Sequence, residues 1–127
     1  MTVVLDSSAL LALILEEPGR ENVAARLGSA VMSAVNVQEV FLKLLANGVS
    51  ASVAQNIVEA TEIAVLPHDA QAALDAAQLA GATRQLGSGL GDRTCMALGI
   101  RMGLPVLTAD REWAQVEAKG LNVEPIR

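Results

Sequence analysis

Tyrosine is absent from these 127 residues, and Phe41 and Trp113 are the only large rings, so aromatics make up 2% of the chain. Platforms on which nucleobases could stack are therefore scarce, and a hydrophobic content of 52% has to be carried by Ala, Leu, Val and Ile. The single Cys95 excludes an internal disulfide and suits a reducing, cytoplasmic setting. Long apolar runs are missing too. The longest, Ala9 to Leu15, is seven residues, against the ~20 that a membrane helix needs. No basic stretch precedes it, so neither a membrane span nor a signal peptide is expected. A chain of this length is expected to form one domain, residues 1–127.

Basic residues are also few: nine Lys and Arg stand against fourteen acids, for a net charge of -5. Taken alone, that balance argues against a nucleic-acid partner, because phosphate contacts normally dominate such affinity. Setting aside Asp6, Glu39, Asp92 and Asp110, however, leaves ten acids against nine bases. A divalent cation held by those four would offset much of the rest, so net charge excludes little.

What the chain does have is a buried strand ending on an acid. Thr2-Val3-Val4-Leu5-Asp6-Ser7-Ser8 is apolar at successive positions, the pattern of a central strand covered on both faces. Asp6 falls at its carboxyl end, the edge where open α/β sheets bind ligands. The pattern then predicts a helix over about Ser8 to Leu15, a turn at Pro18-Gly19, a second helix to Leu27, and a strand at Ala30 to Ser33. Helices at Val37 to Asn47 and Ala51 to Glu62 come next, then a strand at Ile63 to Leu66 that Pro67 ends. Asp69 is placed to cap a long Ala-rich helix. The loop Gly87-Ser88-Gly89-Leu90-Gly91 leads into a helix from Asp92 to Met102, a strand at Pro105 to Thr108, a short helix after Asp110 and a last strand around Leu121 to Glu124. Gly28, Gly48, Gly87, Gly103 and Gly120 each stand where a helix should stop. Strands alternating with helices imply a parallel α/β sheet.

In such a chain each crossover helix starts on the edge where strands end, and Asp6, Glu39, Asp92 and Asp110 all fall at such starts. Two readings of them stand side by side. Asp is a preferred N-cap and Glu is favoured in a first turn; Asn36-Val37-Gln38-Glu39 makes a good capping box, with Val35 and Val40 as its staple. As a set, four converging carboxylates repel one another unless a cation holds them, and oxygen donors without His or Cys favour a hard ion, Mg²⁺ or Mn²⁺. Other chemistries fit less well. Cys95 lies in an apolar helical run and reads as a core thiol. His68 follows a strand-ending Pro, a surface or capping position. No G-x-x-x-x-G-K phosphate loop occurs, and Gly87, Gly89 and Gly91 follow a helix where a dinucleotide motif would follow a strand.

Val4-Leu5-Asp6-Ser7-Ser8-Ala9, the Glu39 helix start, Leu90-Gly91-Asp92-Arg93-x-Cys95 and Leu107-Thr108-Ala109-Asp110-Arg111 together resemble the PIN-domain ribonucleases, in particular the VapC-type toxins of toxin-antitoxin pairs. The resemblance spans nearly the whole chain, in order and spacing. It implies a three-layer fold whose parallel sheet of about five strands, in order 3-2-1-4-5, is flanked by helices and sets Asp6 beside Asp110 at the switch point. It also implies Mg²⁺- or Mn²⁺-dependent RNA cleavage, a cognate antitoxin and a homodimer. Where relatives often carry a Ser, this chain has Gly89. Phosphodiester hydrolysis follows, in which the cation lowers the pKa of a bound water and neutralises charge developing on phosphorus. Asp6 and Asp92 would be direct ligands; Asp110 and Glu39 would complete the site directly or through water, and Glu39 could orient the attacking water. Ser7, Ser8 and Thr108 would hold the carboxylates, and Arg93 and Arg111 would meet the RNA backbone. The apolar helix Ala9 to Leu15, with Val23 and Leu27, would offer the antitoxin a groove. The alternative from another class is a non-catalytic PIN-like or receiver-like module kept for its protein partner, although a receiver would carry a Lys after a late strand, and none is present.

Overall fold

A strand that is apolar at consecutive positions needs cover on both faces, and β1 (Val3–Leu5) has it: all three residues are fully buried. The computed structural model describes residues 1–87 and 89–127, so Ser88 of the glycine-rich loop lies outside the described residues. β1 pairs in parallel with β2 (Ala30–Ser33) on one side and β4 (Val106–Thr108) on the other; β3 (Ala64–Leu66) and β5 (Val123–Pro125) form the edges. The order β3-β2-β1-β4-β5 is the expected 3-2-1-4-5. The chain runs outward from β1 in one direction and returns to build in the other, so the switch point lies between β1 and β4.

Side chains alternate across a strand, and this alternation makes three layers. Val3, Leu5, Met32 and Leu107 face a core shared with α1 (Ser7–Ile14), α2 (Arg20–Arg26), α3 (Ala34–Ala46) and α4 (Ala51–Ala60). Val4, Val31 and Val106 face the opposite way, onto Trp113 and onto Cys95 and Met96 of α6 (Leu90–Met102), with α5 (Ala70–Ala77) packed alongside α6. Trp113 is wholly buried and Phe41 packs partly buried against the first core, so neither ring forms an open stacking platform. No helix among the described residues is long and apolar enough to cross a membrane.

Several local expectations give way. α3 starts at Ala34 because Ser33, the last residue of β2, is itself the N-cap, its Oγ accepting from Val35 N at 3.2 Å. Strand passes into helix without a loop, Asn36 lies inside the first turn, and the capping box with its Val35–Val40 staple does not form. α6 starts at Leu90, which puts Asp92 in the first turn and not at the opening position. Asp69 caps α5 as expected, its Oδ1 accepting from Ala72 N at 2.9 Å, but the helix is only eight residues. Gly28 sits in a 3-10 turn running into β2 without a positive φ, whereas Gly103 ends α6 in the left-handed region at φ 66°. The expected groove on α1 is mostly core: Ala9, Leu10, Ala12 and Val23 are fully buried, and Leu11, Leu13 and Ile14 pack partly buried against them.

Candidate functional site

Asp6 ends β1 and caps α1 at once. Its Oδ1 accepts from Ala9 N at 2.8 Å, the cap, and from Ser8 Oγ at 2.7 Å; its Oδ2 accepts from Thr108 Oγ1 at 2.7 Å. The hydroxyls are anchored in turn, since Ser8 Oγ accepts from Ala109 N at 2.9 Å and Thr108 Oγ1 from Asp110 N at 3.0 Å. The ends of β1 and β4 are thus laced together across the switch point. An ionised carboxylate has about four lone-pair sites; three are taken here, leaving one on Oδ2. Ser7 contributes no side-chain hydrogen bond among the described residues.

Asp6 is 4% exposed. Burial pushes its carboxyl up from 3.8 to about 6; the bonds from Ser8, Thr108 and Ala9 pull it down in part, and the charge of Asp92 pushes it up again. Asp92, half-buried, is also raised, first by burial and then by the charges of Asp110 and Glu39, with Arg93 acting in the opposite sense. Asp92 therefore lies within electrostatic reach of Asp6, Asp110 and Glu39 at the carboxyl edge of the sheet. Cys95 is fully buried beneath them and its thiol is pushed well up by burial and by the charges of Asp6, Asp92 and Glu39, so it has no nucleophilic role.

Glu39 is held from two sides. Asn36 Nδ2 donates to Glu39 Oε1 at 2.9 Å and to the carbonyl of Gly91 at 3.0 Å, tying α3 to the first turn of α6. A Cβ on Gly91 would run into the Glu39 carboxylate, so the bare glycine is what lets the carboxylate lie there. Glu39 and Asp92 face a common groove rimmed by Leu42, Leu86 and Leu90. Asp110 caps the 3-10 turn Arg111–Gln115, its Oδ1 accepting from Glu112 N at 2.9 Å. Asp6 and Asp110 are thus both helix caps, at the ends of neighbouring strands. Arg93 is half-buried next to Asp92. Arg111 donates Nε to the carbonyl of Arg127 at 2.8 Å, which fastens the chain end. In the sequence Asn36 has the pattern of a cap; its bridging role has no signature in spacing, because an N-x-x-E at a helix start looks the same either way.

The donor set fits a hard divalent cation in kind: carboxylate oxygens only, with Asp6 and Asp92 both raised in a way that a cation would reverse. As the side chains stand, no three of the His, Cys, Asp and Glu residues among the described residues are gathered closely enough to hold one ion. Ligation by more than two of them requires the half-buried Glu39, Asp92 or Asp110 to turn inward. A separate cavity of about 250 Å³ between β3, α5 and α6 includes His68, Asp75 and Arg101, and none of the four acids lines it.

The PIN domain family model matches residues 3–119. No curated protein matches the sequence. Among solved structures, the chain superposes on the DNA-bound VapBC of Salmonella typhimurium with a TM-score of 0.72 at 20% identity, covering 100% of this chain and 99% of the other. VapBC-1 of nontypeable Haemophilus influenzae gives 0.66 at 19% identity, with 99% and 98% covered. VapBC-5 of Mycobacterium tuberculosis gives 0.58 at 24% identity, with 100% and 99% covered. At these identities the likeness is one of fold.

Proposed function

The chain belongs to the PIN domain family, and from that premise we propose that it is a divalent-metal-dependent endoribonuclease, the toxin of a toxin-antitoxin pair. The observation that carries this reading is that Asp92 shares one sheet edge with Asp6, Asp110 and Glu39 within reach of their charges, and that Asp6 there is buried, oriented by Ser8, Ala9 and Thr108, and left with one open lone pair. Burying an acid among other acids is unfavourable, so stability alone gives no reason for it. Asp6 and Asp92 would hold Mg²⁺ or Mn²⁺, with Asp110 and Glu39 completing the set directly or through water; the ion, when bound, would supply Lewis acidity toward water and phosphate. Glu39 orients water from the α3 side. Ser8 and Thr108 keep Asp6 in one rotamer. Arg93 meets a backbone phosphate, and Arg111, whose Nε is engaged with Arg127, keeps its terminal nitrogens for another.

An antitoxin partner follows from the same reading, because the neighbouring structures are VapBC complexes. Besides the partly exposed Leu11, Leu13 and Ile14 of α1, an apolar surface open to it is that of Leu42 and Leu90, each 68% exposed on the rim of the groove that Glu39 and Asp92 share. A homodimer is part of the proposal by family resemblance. One observation favours a second reading, a PIN fold kept only for its partner: the acids are not pre-gathered into a ligand set.

A single assay separates the two. Purified protein freed of any partner should cleave single-stranded RNA with Mg²⁺ or Mn²⁺ and stop with chelator, and Leu42→Asp or Leu90→Asp should keep cleavage while escaping inhibition by added antitoxin. Cleavage indifferent to chelator, or none on any cellular RNA, contradicts the nuclease reading. Full inhibition of both variants moves the partner surface elsewhere.

A further inference from the structure

Asn36 is 1% exposed on α3, among Val37 and Val40 of the same core. Both of its amide hydrogens are spent on acceptors, Glu39 Oε1 and the Gly91 carbonyl. The amide cannot be turned over, because that would set its oxygen against two other oxygens. Its Oδ1 is buried and has no hydrogen-bond partner among the described residues. A buried amide oxygen without a donor lowers stability, and an apolar residue of similar size would avoid it. Stability therefore does not account for this side chain, while its two bonds converge on one acid and on the glycine beneath that acid.

We propose that Asn36 is a positioning residue: its amide, with the bare Cα of Gly91 as the surface on which Glu39 lies, fixes the Glu39 carboxylate against the first turn of α6, on the groove that Asp92 shares. The inference rests on the nuclease reading given above. Asn36 touches neither substrate nor ion. It acts by removing rotamers from Glu39, and misplacing a catalytic group by about 1 Å can lower a rate by roughly 100-fold.

The test compares Asn36→Leu with the parent, alone and in a Glu39→Gln background. Asn36→Leu should melt at or above the parent temperature, lower kcat by roughly 10- to 100-fold with KM little changed, and have no further effect once Glu39 is Gln. A merely structural role would lower the melting temperature and leave kcat alone. Unchanged kcat in a folded variant, or an equal fall in both backgrounds, overturns the proposal. Should Asn36→Leu fail to fold, Gly91→Ala displaces the same carboxylate from the other side and should show the same split between kcat and KM; an unchanged kcat there is equally fatal. A readout independent of activity is the ¹⁵N side-chain amide signal of Asn36. It should be protected from water exchange and shifted in Glu39→Ala. If the parent cleaves no RNA, the nuclease reading has failed and this signal still decides the inference: an amide that exchanges freely and ignores Glu39→Ala refutes it.

Discussion

At residue scale, Asp6 carries a stability that depends on pH in an unusual direction. Its carboxyl is raised from 3.8 to about 6 in the folded chain, so the native state binds the proton more tightly than the unfolded state. Stability from this group is then fully present below about pH 4, declines as pH rises, and has lost on the order of 3 kcal/mol above about pH 6. In metal-free protein, Asp6→Asn should be more stable than the parent at pH 7 by up to that amount, with the gap closing toward pH 4; urea unfolding of both at the two pH values checks it. The amide keeps the Ala9 cap, since Asn caps as well as Asp, and Thr108 Oγ1 can accept where it now donates. A gap of constant size would mean that charge burial at Asp6 is negligible. Asp6 was legible in the sequence because a strand-ending acid and an N-cap are satisfied by one geometry. Asn36 was not: which residue caps α3 depends on where β2 ends, and Ser33 takes that place three positions earlier.

At element scale, α6 matters most, because it carries Asp92 and lies beneath the other acids. It reaches the sheet closely at Gly99, where a Cβ would strike Val106 Cγ1 of β4 and come within 3.2 Å of the Leu104 carbonyl. Gly99→Ala should therefore lift α6 from β4 and lower stability by about 1–3 kcal/mol, the usual effect of overpacking, read as a lower urea midpoint; an unchanged midpoint would show that the contact yields. The elements themselves were legible from period and punctuation: five strands and the helices between them lie where apolar runs, Pro67 and Gly103 put them. Their boundaries were less so. The first turns of α3 and α6 are set by tertiary fit, Ser33 at the end of a paired strand and Gly91 under Glu39, and a local pattern does not contain either.

At the scale of the whole molecule, the strand order brings acids 104 residues apart onto neighbouring strand ends, Asp6 after β1 and Asp110 after β4. Alternation of strand and helix implied a parallel sheet, but the order 3-2-1-4-5 came only from family resemblance, since no local feature states which strands pair. That the acids follow strand ends at one sheet edge was legible; their separation was not, and as placed Asp92 feels its neighbours' charges without a three-ligand shell forming among the described residues. The central claim is that they act as one cation-binding site, and the thermal melt with and without Mn²⁺, for the parent and Asp92→Asn, tests it most directly. Removing one charge relieves repulsion in the metal-free state, and ligand binding stabilises in proportion to ln(1 + [L]/Kd). Asp92→Asn should therefore melt at or above the parent without metal and gain less than the parent when Mn²⁺ is added. Equal gains in both proteins, or no gain in the parent, would contradict the account.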